Sequence, residues 1–412
     1  MTALPSPPLS LDALTGSPNA LAPHYSAFRV AERLLLTGHS HQAWPDRARQ
    51  GQLRAFDDAA AHADEKWSRA FAAASRVETG FRELLDDRDG SYVLAGNTHE
   101  LLIRFLSALP LRERPRLVTT DGEFHTIRRQ LDRLAEEGLE VVRVSADEPA
   151  SLADRLAAEV DDRTAAVLVS SVLFGTGRIV PNLAAVVPAT QRHGCELLVD
   201  TYHALGAVPF QLPEQGLGEA FVVGGGYKYL QLGEGNCFMR VPPGRDLRPV
   251  ITGWFAEFAD LAAPPIPGQV AYGHGADAFI GATYDPTSHY RAAEVFDFFA
   301  TMGLTPTFLR QVSQHQVGLL TREIDALDLD PRVLRRPVVS LAEIGGFLML
   351  ETPHAEAFDQ ALRERGVLVD HRGTRLRLGP APYLSDRQLR DVVGHLGEVA
   401  TSTTTTRTEG IG

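Results

Sequence analysis

The chain has 412 residues, 44% of them hydrophobic and 22% charged, with a formal net charge of −12. That is the composition of a soluble globular protein too long for one ordinary core. No basic excess exists to meet phosphates, which excludes nucleic acid and an anionic membrane surface as partners, and no uncharged apolar run approaches the roughly 20 residues that span a bilayer.

Taken in chain order, a Pro- and Ser-rich opening reads as an extended arm over 1–45. RLLLTG reads as a short strand, and the stretch from Arg47 to Leu85 has helical periodicity. Strands and helices then alternate. SYVLAG is followed by the helix THELLIRFLSAL, RLVTT by TIRRQLDRLAEEG, VVRVSAD by SLADRLAAEV, and the long apolar strand TAAVLVSSVLF by NLAAVVPATQRHG. CELLVD and EAFVVGGG are two further apolar strands. Short apolar runs separated by helices are βαβ units, so an α/β large domain with a mostly parallel, helix-covered sheet is expected over 46–290. The Pro- and Gly-rich stretch from Leu261 reads as a long surface loop. A smaller α+β domain is expected over 291–400, with strands in PVVSLA, GGFLMLE, GVLVDHR and TRLRLG, and a disordered Thr-rich tail over 401–412. The start lacks a signal peptide, and the two cysteines, Cys195 and Cys237, have no metal-like spacing. A reducing, cytoplasmic setting without disulfides or metal follows.

Four pieces carry chemistry. Asp200 ends the strand CELLVD, and in an open α/β sheet the ligand crevice lies at the carboxyl ends of strands. Lys228 follows the next apolar strand, inside GGGYKYLQLGEG. A lysine held in a desolvated pocket has a lowered pKa and can form an imine, whereas in a plain turn it would only extend into solvent. LAGNTHELL places Asn97 and Thr98 where a strand gives way to a helix, either as an ordinary cap or as an anion site. TTDGEFHTI places Phe124 or His125 after a strand, where a ring could stack on a planar ligand.

The order GNT, EFH, DTYH, YKYL resembles the fold type I pyridoxal-phosphate enzymes of the class V aminotransferase group, and within it the kynureninases, over roughly Gly38 to Leu384. By position, Lys228 resembles the Schiff-base lysine, Asp200 the partner of the pyridine nitrogen, His203 the histidine beside the ring and Phe124 the stacking aromatic. Asn97, Thr98 and Tyr227 match the phosphate-binding groups, and Thr283 stands where the family reaches a neighbouring subunit's phosphate. Trp254 in TGWF resembles a substrate-pocket tryptophan. Ser40 in TGHSH aligns near a segment bordering the substrate, and Arg377 resembles the arginine that grips the α-carboxylate, with Arg375 the rival two residues away.

The resemblance implies pyridoxal 5′-phosphate as cofactor, a small-molecule amino acid as substrate and a homodimer with shared active sites. It implies hydrolytic cleavage of the substrate side chain through a carbanion at Cα, with an aminotransferase as the alternative, and a lyase, a desulfurase or an inactive homologue behind it. The sequence departs from the kynureninase pattern at the substrate's aryl end. Gly175 precedes Thr176 where the family has a tyrosine, GWF continues without histidine, and Thr283 or a neighbour replaces an asparagine.

Overall fold

The computed structural model describes residues 9–264 and 266–409. Its strands are β1 (Leu34–Leu35), β2 (Ser91–Ala95), β3 (Arg116–Thr120), β4 (Glu140–Val144), β5 (Thr164–Ser170), β6 (Glu196–Asp200), β7 (Phe221–Gly225), β8 (Cys237–Val241), β9 (Leu348–Glu351), β10 (Val367–Leu368), β11 (Asp370–Arg372) and β12 (Arg375–Leu378). A seven-stranded sheet runs in the order β2-β8-β7-β6-β5-β3-β4. All its pairings are parallel except those of β8, which is antiparallel to both neighbours. The carboxyl ends of β2, β3, β5, β6 and β7 therefore share one edge of the sheet.

The interior follows from the period of two along each strand. Val167, Val169, Val199 and Val222 turn into one buried cluster, and Ala166, Leu168, Leu198, Phe221 and Val223 into the other, so both faces of the sheet are covered. Each such side chain taken from water contributes roughly 1.5–3 kcal/mol, before conformational entropy is set against it. At the far end of the sheet Arg240 is buried against Asp87 with Nε–Oδ2 and Nη2–Oδ1 distances of 2.9 and 3.1 Å. Its Nη1 donates to the carbonyls of Gly218 and Ala220, and the Tyr92 hydroxyl also donates to Asp87.

The α/β fold and large parallel sheet are as expected, and several elements differ from the sequence reading. The span Arg47–Leu85 is two helices, Arg47–His62 and Trp67–Leu85, broken at Ala63, whose φ of 47° is left-handed. PVVSLA is not a strand; it is irregular up to a short turn at Leu341–Glu343. The helix Pro306–Ala326 begins on a Thr305 cap with proline in its first turn, the usual sequence signal for a start. The final helix runs Asp386–Glu409, into the Thr-rich tail expected to be disordered, and residues 410–412 lie outside the described residues. The opening of the arm, residues 1–8, does so too.

The later part of the chain holds a second, antiparallel sheet ordered β11-β12-β9. The arm joins this part. β1 pairs in parallel with β10, Leu34 opposite Val367, and Asn19 donates to the Pro382 carbonyl.

Candidate active site

The shared strand edge gathers three loops. Asp200 closes β6 and stands in register with Ser170 of β5 and Val223 of β7, while Lys228 lies three residues past the end of β7. The glycines of the opening motif allow this by close approach. A Cβ on Gly225 would sit 2.5 Å from the Tyr202 ring, and one on Gly226 2.3 Å from the Leu232 side chain. Tyr202 can therefore lie flat beneath the lysine.

Lys228 is 5% exposed. Its Nζ is 2.9 Å from His203 Nε2 and 4.6, 5.1 and 5.7 Å from the ring centres of Tyr202, Phe124 and Tyr227. Among the described residues no carboxylate reaches it as an ion pair. Burial pushes its amine down to about 7, with the Asp200 charge opposing. His203 is also held well below its usual value, first by burial and then by the Lys228 charge, so its imidazole is neutral.

Asp200 accepts the Tyr202 backbone N–H at 2.8 Å and has no side-chain donor among the described residues. Burial raises its carboxyl above the ordinary range against the pull of Tyr202 N–H and Lys228. A buried amine with only a neutral imidazole beside it, and a half-buried carboxylate with no side-chain donor among the described residues, are costly to leave so. They fit a planar ligand that has an electrophile for the amine at one side and a cationic ring nitrogen for the acid at another. Phe124, at the start of the helix His125–Glu136, supplies an aromatic wall with Phe174, whose centroid lies 5.3 Å away in an edge-on arrangement.

At the start of the helix Thr98–Ala108, Asn97 Oδ1 accepts from the Glu100 N–H at 2.9 Å and its Nδ2 reaches the Glu100 carboxylate at 3.0 Å. The side chain is thus engaged as a cap, and the Thr98 N–H meets the Cys237 sulfur. Tyr227 packs on Tyr202 and stacks with His41, centroids 4.8 Å apart and planes 21° apart.

Arg377 and Arg375 lie on one face of β12, as the strand period requires, and the structure separates them. Arg377 is 3% exposed and Arg375 is exposed, lying against Gly175. Arg377 Nε and Nη2 donate to Asp370 at 2.8 and 2.6 Å, and Nη1 donates to the Phe174 carbonyl at 2.8 Å. Its charge reaches Lys228, His203 and His39.

Other expected residues stand apart. Ser40 bonds its neighbour His41 at 3.0 Å. Trp254 is 46% exposed within a surface group of rings that includes Phe255 and Phe258. Thr283 is exposed and lines a cavity of about 1170 Å³ together with Gly96, Glu100, Arg104, Glu234 and Gly235. Two neighbours of the site, Asp370 and Glu123, escaped the sequence reading, and a third, His39, stood out only as part of the His-Ser-His run at 39–41. Asp370 and His39 bond each other at 2.9 Å across 331 residues. Glu123, buried under Phe124, accepts from the Thr120 and Ser170 hydroxyls, and burial pushes it up to about 7. Its place directly before the candidate ring was the one local signal.

No family model matches the chain. Its sequence is 28% identical to a kynureninase of Pseudomonas fluorescens over 95% of this chain and 94% of that protein. It is 27% identical to a kynureninase of Deinococcus radiodurans over 89% and 90%. Among solved structures, a cysteine desulfurase from Thermococcus onnurineus superposes with a TM-score of 0.77 at 14% identity, covering 93% of this chain and 98% of that one. A mutant of C-DES, with glycine covalently linked to its PLP cofactor, gives 0.77 at 15% identity over 91% and 98%. The chain therefore has the fold type I architecture of the class V aminotransferase group, and over nearly its whole length its sequence is similar to kynureninases.

Proposed function

We propose that the chain is a pyridoxal 5′-phosphate enzyme acting on an α-amino acid, and that it hydrolyses the Cβ–Cγ bond of a side chain bearing a γ-carbonyl, as kynureninases do. The supporting observation is the meeting of Lys228 and Asp200 at one sheet edge, the amine buried with only the His203 imidazole in hydrogen-bond reach and the carboxylate without a side-chain donor among the described residues. Lys228, Asp200, His203, Phe124 and Tyr227 would hold the cofactor, with the helix start at Asn97 and Thr98 facing its phosphate. Bound there, the cofactor supplies an aldehyde for the substrate amine and a protonated ring that draws electrons from Cα.

This chain's residues do the remainder. Asp200 accepts the hydrogen bond of the ring nitrogen and keeps its proton in place. Neutral His203 holds the Lys228 amine beside the reacting centre. Lys228, with its amine lowered to about 7 and so present in good part as free base at neutral pH, takes the proton from Cα and returns it. Arg377 orients the α-carboxylate, and Phe124 and Phe174 keep water off the ring. The exposed apolar set Phe56, Phe71, Trp254, Phe258 and Ile266 supports a homodimer, in which Thr283 and Trp254 face the partner.

Transamination is the second reading, because amine, acid and arginine suffice for amino exchange and the aryl-end residues differ from the kynureninase pattern. A desulfurase reading is disfavoured. Cys195 and Cys237 are both buried, and burial pushes their thiols up to about 11 and 12, so neither is an available thiolate.

The test is spectroscopic and then chemical. Purified chain given the cofactor should turn yellow, and Lys228→Ala should not. Kynurenine or 3-hydroxykynurenine should then yield an anthranilate-type fluorescence and alanine. Keto-acid-dependent amine exchange without cleavage would favour the transaminase, and a colourless wild type would reject the cofactor.

A further inference from the structure

The guanidinium expected to meet the substrate carboxylate already carries a carboxylate. Asp370 accepts from both Arg377 Nε and Nη2, and the Phe174 carbonyl accepts from Nη1. Arginine has five N–H donors, so two remain, one each on Nη1 and Nη2. Asp370 could be one of two things. It could be a placeholder that a substrate displaces, or a fixed support that sets the guanidinium plane while the substrate takes the remaining donors.

The surroundings favour the support. Asp370 and Arg377 are directly opposed across β11 and β12, so the backbone ladder holds both on one face. Asp370 is also tied from a third side, since His39 Nε2 lies 2.9 Å from the same Oδ1 that receives Arg377 Nε. Arg372 stands further off, its Nη2 3.6 Å from Oδ2. His39 itself has no room to follow a moving carboxylate. Its side chain is fully buried, its ring is 4.7 Å from Phe347, and a Cβ on Gly379 would sit 2.3 Å from its Nδ1. The Gly38 N–H donates to the Gly379 carbonyl at 2.8 Å, which ties the arm to the end of the arginine strand. Nδ1 is buried without a hydrogen-bond partner, and Nε2, facing a carboxylate oxygen that can only accept, carries the proton and donates to Asp370.

Resting on the reading of Arg377 given above, we propose that Asp370 and His39 are positioning residues for substrate-carboxylate recognition: His39 locks Asp370, and Asp370 fixes the Arg377 guanidinium so that one N–H on each terminal nitrogen stays available to the ligand. The N-terminal arm is thereby part of the substrate grip.

The experiment compares two amines on the holoenzyme, alanine, which has the carboxylate, and n-propylamine, which lacks it. Their dissociation constants are read from the visible absorbance. In Asp370→Asn the constant for alanine should rise about tenfold, the scale of one charge-assisted hydrogen bond, while that for n-propylamine stays put. His39→Ala should show the same selective loss, and His39→Gln, which keeps a donor, should recover part of it. Tighter alanine binding in Asp370→Asn would make Asp370 a competitor and overturn the proposal. Equal loss for both amines would overturn it as mere structural damage. If Asp370→Asn does not fold, the two His39 variants carry the same comparison. A chain that takes up no cofactor fails the functional reading instead, and a yellow chain indifferent to the carboxylate fails this one.

Discussion

Lys228 Nζ and His203 Nε2 are 2.9 Å apart, and both groups are held toward their neutral forms by burial. An amine so placed is a free base where an ordinary lysine is almost wholly protonated. Capture of an aldehyde by the apo chain should therefore level off above a midpoint near pH 7, set by a group at about 7. A stopped-flow pH series would measure it, and a midpoint near 10 would show that burial does not depress the amine.

The same shift has a stability consequence. Between about pH 7 and the ordinary lysine value, the unfolded chain binds a proton at Lys228 that the folded chain does not, so this group makes stability rise with pH across that window. Lys228→Met should make the apo chain more stable than wild type at pH 6, with the advantage shrinking toward pH 10. Denaturant titrations at the two pH values decide it.

Asp200 is the acid without a side-chain donor. Asp200→Asn should leave the fold intact yet lower turnover by about a hundredfold or more, the scale of lost general acid–base and electrostatic support. Steady-state kinetics with unfolding as a control would check this, and a variant retaining most of its turnover would remove Asp200 from the mechanism.

Asn97 tests the turn proposed to hold the phosphate. Its side chain caps a helix, so Asn97→Ala should cost roughly 1 kcal/mol of stability. Cofactor affinity, measured by equilibrium dialysis, should change little, because the N–H groups of the turn remain.

Arg240 tests the frame rather than the site. Burial pushes the Asp87 carboxyl up, yet the Arg240 hydrogen bonds and charge hold it below its ordinary value. Arg240→Ala strands a buried carboxylate and should cost about 3–5 kcal/mol by chemical denaturation. Arg240→Met, which fills the space but still leaves Asp87 unpaired, should recover little of it.

The sequence alone made the mostly parallel central sheet legible because β5, β6 and β7 are buried on both faces and read as unbroken apolar runs. The placement of Asp200 and Lys228 at one sheet edge was legible for the same reason, each lying where such a run stops. β8 was missed because Cys237–Val241 follows a turn without a helix between, outside the alternating rhythm, and is antiparallel. PVVSLA has strand-like composition, yet packing leaves Val338 93% exposed and the segment irregular. Ser40 was chosen over His39 because adjacent residues in an arm give no sign of which one turns inward. The partner of His39 is Asp370, and no local pattern links two residues 331 positions apart.

The pairing of β1 with β10 sets a timetable for synthesis. The segment that brings His39 beneath the candidate substrate arginine has no strand to join until Val367 and Leu368 have left the ribosome. A nascent chain can thus assemble its central sheet early, but the His39–Asp370 contact beside Arg377 is made only when the two distant stretches are finally zipped together.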